Sequence, residues 1–318
     1  MNYTLHQLLI FLKISETGSI TKAAEELHLT QPAVSIQLKN LQQHFDIPLI
    51  EVINKKVYVT DFGKELIKTS RKILAEIELI EQHTMAIKGK LTGKLNIATV
   101  STGKYIAPYF LGGFLQQHDG VELNLDVTNK GKVLDALEKN EIDFAFVSMI
   151  PTTMQLKKIE LMQDRMFLVG SADFKAVKGQ TTKEILGNNP LIFRENGSAT
   201  RLIMEKFIQR SNADSKKTLE LSSNEAVKQA VIAGMGISIM PLIGIKNELN
   251  LGHLKIVPIK GTPITTAWNL VWLAGKKLSP VAMAFMEYIK QEKKEIFENQ
   301  FSWSEHFVEK AKKKIKES

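Results

Sequence analysis

The sequence predicts an α/β chain headed by an all-α/winged helix-turn-helix unit, and three observations predict it. Between Gly18 and Phe45, two short segments with apolar stripes flank a tight turn, the layout of a helix-turn-helix. From about Asp61 to Lys88, the residues Leu66, Ser70, Ile73, Ile77, Ile80, Thr84 and Ile87 recur in alternating steps of four and three, an a/d seam along one long helix. From Lys94 to about Lys290, strand-like apolar runs alternate with helical patterns, which predicts α/β layers with mainly parallel sheets.

The first segment, MNYTLHQLLIFLKIS, has no basic start and no small-residue cleavage site. It reads as the first helix of the N-terminal unit rather than as a signal peptide. Ile20, Ala23, Ala24 and Leu27 then form a helical stripe that Ser19 or Thr21 can cap. His28, Leu29 and Thr30 make the turn. Thr30 caps a second helix that carries Gln31 and Pro32 in its first turn, where proline costs nothing. Val34, Leu38, Leu41 and Phe45 share one face of it. Gln31, Ser35, Lys39 and Gln42 fall on other faces, free to meet a duplex. The candidate DNA contacts are Thr30, Gln31, Pro32, Ala33, Ser35, Gln37 and Lys39. Taken by itself the pattern also fits an ordinary helical hairpin with a solvated face.

Asp46-Ile47-Pro48 stops that helix. Leu49 to Thr60 reads as two short strands turning at Asn54-Lys55-Lys56, a wing. Lys55 and Lys56 at its tip suit phosphate, a contact that positions without specifying sequence. The organisation is thus a winged unit over 1–60, a linker helix over 61–90 and an α/β domain over 91–296, with a polar tail over 297–318. The seam on the linker needs a partner, and a second copy of the chain is the natural one, the alternative being docking on the chain's own body. Gly89 to Gly93 forms a hinge. Candidate strands follow at Leu95–Val100, Val121–Val127, Phe144–Ser148, Met166–Val169, Leu191–Phe193, Ile237–Met240, Leu254–Pro258 and Leu270–Leu273. The tail reads as a helical, lysine-rich, solvated end.

Composition narrows the chemistry. Hydrophobic residues make up 44% and charged residues 24%, which fits a soluble globular protein with no membrane-spanning run. There are no cysteines, so disulfides and thiolate metal sites are excluded, and a reducing cytoplasm is the expected location. The seven histidines show no metal-ligand spacing, and no G-x-S-x-G elbow is present. Net charge is +8, yet residues 1–75 hold nine basic and seven acidic residues while 93–289 hold 23 and 18. The positive excess therefore sits mostly in the α/β domain and favours an anionic small ligand there.

Three loops at strand ends suit such a ligand. Ser101, Thr102 and Lys104 open a helix after the first strand. Arg194, Ser198, Thr200 and Arg201 surround another helix start, where backbone N–H groups favour anions. Ser222-Ser223-Asn224 caps a third helix. Each loop could be a cap alone, but sheets of this kind bind ligands beyond their strand carboxyl ends.

The run AAEELHLTQPAVSIQLKNL, continuing through Pro48-Leu49 and Thr60-Asp61-Phe62-Gly63, resembles the DNA-binding segment of LysR-type transcriptional regulators. VSTGKYIAP, IFRENGSATR and SSNEAVKQAVIAGMGIS are similar to the CbbR branch, the regulators of carbon-fixation operons. The resemblance implies a two-lobed, periplasmic-binding-protein-like effector domain, with lobe one at 93–164 plus 267–296 and lobe two at 165–266. It implies an effector cleft using Ser101, Thr102, Lys104, Asn129, Ser148, Arg194, Ser198, Thr200 and Arg201. The expected occupant is a small anionic metabolite that closes the lobes, with no other cofactor and no metal. Expected partners are double-stranded DNA, a second copy through the linker helix, a homotetramer of two dimers and RNA polymerase, with activation as the mode. Three departures stand out. Lys130 replaces an arginine after Asn129, Met149 replaces a cleft arginine, and Val52 replaces a wing arginine. Gln42 also stands where glutamate is usual. The alternative reading is a two-lobed solute-binding or enzymatic protein without a DNA role, for which neither a leader nor a catalytic constellation is visible.

Overall fold

The structure, a computed structural model, describes residues 3–53, 56–87, 89–175, 179–214 and 217–317. Side chains are described for all of these except 78, 81–83, 86, 87, 312 and 314–317. The chain divides into two compact units, residues 1–90 and 91–318.

In the first unit α1 (Leu5–Thr17) starts with a capping box. The Gln7 N–H donates to Thr4 Oγ1 at 3.2 Å and the Thr4 N–H to Gln7 Oε1 at 2.8 Å, which satisfies two orphan donors. Gly18, at φ 63°, ends it in the left-handed region that favours glycine. Ser19 caps α2 (Ile20–Glu26). Thr30 occupies the cap position of α3 (Gln31–Gln42) but makes no side-chain cap bond, so it caps by backbone conformation alone. Leu8, Phe11, Ile14, Ala23, Ala24, Val34, Leu38 and Leu41 bury together as the core of the three helices. Phe45 lies beyond the end of α3 and closes on Phe62, ring centroids 5.5 Å apart. The wing is an antiparallel hairpin of β1 (Ile50–Ile53) and β2 (Lys56–Val59), in register from Ile50↔Val59 to Ile53↔Lys56. α4 (Asp61–Ile87) follows. Its seam is buried at Ser70, but Ile73 is 37% and Ile80 65% exposed. The Ile87 side chain lies outside the described residues.

The second unit begins with β3 (Gly93–Val100), α5 (Ala107–Gln117), β4 (Val121–Thr128), α6 (Lys130–Glu138) and β5 (Phe144–Val147). β3 pairs in parallel with β4 and β5. β6 (Leu156–Ser171) is a 16-residue strand, of which the expected Met166–Val169 is only the buried end. Its first half alternates exposed lysines and glutamate with buried residues, so it lacks the unbroken apolar run of a central strand. α7 (Thr182–Asn188), β7 (Leu191–Arg194), α8 (Ala199–Arg210), β8 (Thr218–Leu221), α9 (Asn224–Ile232), β9 (Ser238–Pro241), α10 (Lys246–Asn250) and β10 (Leu254–Ile256) build the second lobe. β11 (Ile264–Leu273) returns antiparallel to β6 along its whole length. The sheet order is β10-β6-β11-β5-β3-β4, with β9 also on β6 and a separate parallel β7–β8 pair. The expected parallel sheet is therefore mixed, because both strands that cross between the lobes run antiparallel to each other.

One core lies under β3, β5 and α5 in the first lobe, and two lie in the second. α11 (Pro280–Gln300) covers the first core with Val281, Ala282, Phe285 and Ile289. The tail is not a solvated end. α12 (Trp303–Glu317) docks on the second lobe by Val308 and Ala311, while Phe301 just before it stacks on Phe110 of the first lobe at 6.0 Å. Arg165 and Glu305 pair at 2.5 Å, and Lys246 Nζ lies 4.6 Å from the Trp303 ring centroid. Ser304, Val308 and Ala311 fall at helical spacing and are buried, so the apolar stripe is real although lysines surround it.

Candidate nucleic-acid interface and ligand cleft

α3 shows its polar side to solvent. Gln31, Pro32 and Lys39 are exposed, and Ala33 and Ser35 are half-buried. Gln31 Nε2 donates to Ser35 Oγ at 2.7 Å, which holds the amide ready along one helix face. Gln37 is used differently. Its Oε1 accepts from the buried Gln7 Nε2 at 3.2 Å, which ties α3 to α1. Gln42 is not free either. Its amide donates to the Phe45 and Ile47 carbonyls at 3.3 and 3.0 Å and accepts from the Leu49 N–H at 2.6 Å. A carboxylate could not make the two donations, so glutamine at 42 fastens the end of α3 to the start of the wing. Ile36, absent from the sequence reading, is 57% exposed one turn after Pro32. An apolar branched side chain there can meet a thymine methyl. Lys56 is exposed at the start of β2. Lys55 lies outside the described residues.

In the second unit the strand ends converge. β3 delivers the 3-10 turn Ser101–Tyr105, β4 delivers Asn129, and β7 delivers Arg194 and the start of α8. Ser101, Thr102, Asn129 and Lys130 from the first lobe face Arg194, Glu195, Ser198 and Thr200 from the second around one cleft of about 20 Å³. Asn129 Oδ1 accepts from the Lys132 N–H at 3.0 Å and so caps α6. Ser198 holds the N-cap position of α8 without a side-chain cap bond, so its hydroxyl is not committed to the helix. That helix start adds backbone N–H groups to the cleft wall.

The cations expected in the cleft are mostly spent. The Arg194 guanidinium, buried, forks onto Glu195 with Nε–Oε2 at 2.7 Å and Nη2–Oε1 at 2.8 Å. Arg201 binds Glu205 at 2.7 Å, Glu220 at 2.6 Å and the Arg194 carbonyl at 3.0 Å. Its pKa is raised, first by the bond to Glu205 and then by Glu220. Lys104 lies over the Tyr105 ring, its Nζ 5.1 Å from the ring centroid. Lys104, Arg201 and Ser148 do not line the cleft, and Ser148 is buried. Ser223 caps α9 by accepting from Ala226 at 3.0 Å, away from the cleft. Lys130 and Glu195 line the cleft and were not among the expected contacts. Among the described residues no acidic or histidine cluster could hold a metal ion, and no helix is long and apolar enough to cross a membrane.

Known proteins agree with this arrangement. The bacterial regulatory helix-turn-helix of the lysR family matches residues 5–64, and the LysR substrate binding domain matches residues 88–294. The chain is 37% identical to the HTH-type transcriptional activator CmpR of Synechocystis over 91% of its length and 95% of that protein. It is 37% identical to the HTH-type transcriptional regulator CbbR of Rhodospirillum rubrum over 90% of its length and 95% of that protein. The solved CcmR regulatory domain of Synechocystis PCC6803, in complex with 2-PG, superposes with a TM-score of 0.59 at 33% identity, covering 62% of this chain and 96% of that one. The matched relatives are named as regulators of transcription, not as enzymes. With a helix-turn-helix matching the lysR model at one end and a two-lobed domain matching its substrate-binding partner over most of the rest, the chain belongs to the LysR family of DNA-binding transcriptional regulators.

Proposed function

We propose that this regulator responds to a small anionic metabolite held between the lobes by Ser101, Thr102, Asn129, Lys130, Ser198 and Thr200. The observation that carries the reading is the convergence of strand-end loops from both lobes on one polar cleft. Hydroxyls, an amide and the α8 N-terminus suit an anion, and Lys130 supplies a cation not engaged in any ion pair found among the described residues. The complex of the related CcmR domain with 2-PG supports a ligand of that size. Gln31, Ser35 and Lys39 meet base edges or phosphates in the major groove, with Lys56 on the backbone. Two chains pair through the exposed seam of α4, and two such dimers form a tetramer on neighbouring half-sites. From there the protein activates transcription in the cytoplasm through contact with RNA polymerase.

Fluorescence anisotropy with an operator duplex and a scrambled duplex tests both halves. Replacing Gln31→Ala with Ser35→Ala lowers the specific over non-specific preference by about 1–3 kcal/mol per lost base contact. An unchanged ratio removes these residues from the interface. Adding 2-PG shifts the wild-type curve, and Thr102→Ala abolishes the shift. A variant that still shifts fully places the ligand elsewhere.

A further inference from the structure

One contact between the lobes lies just outside the lining of the cleft. Tyr105 is the last residue of the turn Ser101–Tyr105, so its backbone is continuous with Ser101 and Thr102. Its side chain crosses to the second lobe and rests against Gly244, in the 3-10 turn Leu242–Gly244 that follows β9. A methyl built on Gly244 would stand 2.9 Å from Tyr105 Cε2 and 3.4 Å from Cδ2 and Cζ. Gly244 does not sit in the left-handed region, so what the position demands is the absence of a side chain and not backbone freedom.

The seat is built on both sides. Lys228, buried, is held between Glu248 at 2.7 Å and Glu225 at 3.0 Å, which joins α9 to α10 beside the ring. Burial raises the pKa of the Tyr105 phenol and the Lys228 charge pulls it back, as expected for a ring set against that charged group. Next to Gly244, Ile243 packs into the core of the first lobe, and Met149 of the first lobe packs into a core of the second. The lobes are thus pinned by apolar contacts running in both directions.

We propose that Tyr105 and Gly244 form a latch between the lobes, and that Tyr105 is the positioning residue linking a ligand at Ser101 and Thr102 to the lobe arrangement. The space enclosed between the lining residues is about 20 Å³, room for about one water, so the latched arrangement leaves a metabolite little room between the lobes. A ligand that enters must displace the Ser101–Tyr105 turn, and the turn carries the ring off its seat. The latched form is then the ligand-free one, and effector widens the cleft. The coupling rests on the effector reading of the cleft, whereas the latch itself does not.

Hydrogen exchange on the full chain tests the latch without any ligand. Gly244→Ala raises exchange in 101–105 on the opposite lobe, and Tyr105→Ala raises it in 242–245. Tyr105→Phe keeps the ring and leaves both segments as in the wild type. Unchanged protection of α5 and α11 shows that the variants are folded. If each substitution loosens only the segment that carries it, there is no latch. Calorimetric titration with 2-PG tests the coupling. Because coupling is reciprocal, Gly244→Ala binds the probe about fivefold or more tightly than wild type. Equal or weaker binding overturns the coupling. A wild type that takes up no 2-PG counts against the cleft reading and the coupling with it, and the exchange comparison still decides the latch.

Discussion

Asp164 sits on β6 opposite Thr266 of β11, where the chain crosses between lobes. It is buried, and burial pushes its carboxyl pKa up to about 7. The Trp268 indole beside it pulls the other way but closes no hydrogen bond of ordinary geometry. Unfolded aspartate ionises near about 4. Between those values the folded chain keeps a proton that the unfolded chain has released, so stability falls as pH rises through that window and levels off above it. The slope approaches about 1.4 kcal/mol per pH unit. Urea unfolding at pH 5 and pH 8 is expected to show this drop in the wild type and a smaller one in Asp164→Asn. An equal drop in both would trace it to other groups. Nothing in the local sequence marks Asp164, since a carboxyl in an alternating strand reads as solvent-facing. The same limit explains the cleft cations. Ser101 and Thr102 were legible because hydroxyls at a strand end that opens a helix have a place the topology dictates, whereas Asn129 came only from the family resemblance. The pairing of Arg201 with Glu220, 19 residues away, depends on β8 lying beside β7 and could not be read from spacing.

At the scale of elements, α4 was the most legible because a heptad seam is a periodic signal that tolerates interruption. Ser70 interrupts it where the helix packs against its own unit and is buried. Ile73 and Ile80 continue it where the single chain offers no cover. An isoleucine 65% exposed on such a seam gains about 25 cal/mol for each Å² it buries against a second helix. Ile80→Glu is therefore expected to shift the protein from dimer towards monomer in light scattering at micromolar concentration, with helix content by circular dichroism retained. A dimer of unaltered strength would move the interface off this face. β6 and α12 were the least legible elements. The first half of β6 is half-solvated, and the docking stripe of α12 is only Ser304, Val308 and Ala311 among lysines and glutamates, too few for hydropathy to separate from an exposed tail.

For the whole molecule, that docking helix matters because it covers a core. Ending the chain after Ser302 keeps Phe301 on the first lobe but uncovers the second-lobe surface that Val308 and Ala311 bury. Calorimetry is expected to show a lower, earlier transition for the truncated chain. A single unshifted transition would mean that α12 contributes nothing to lobe stability. The α/β layering was legible, since strand and helix patterns alternate across the region, while the division into two lobes came only from the family resemblance, and the antiparallel pairing of the crossing strands was not legible. Two strands, β6 and β11, cross side by side and form one strap between the lobes. The chain crosses a third time between Phe301, anchored in one lobe, and Trp303, anchored in the other. Turning one lobe against the other must therefore strain this third link as well as the strap, and releasing α12 from the second lobe leaves the strap alone to resist.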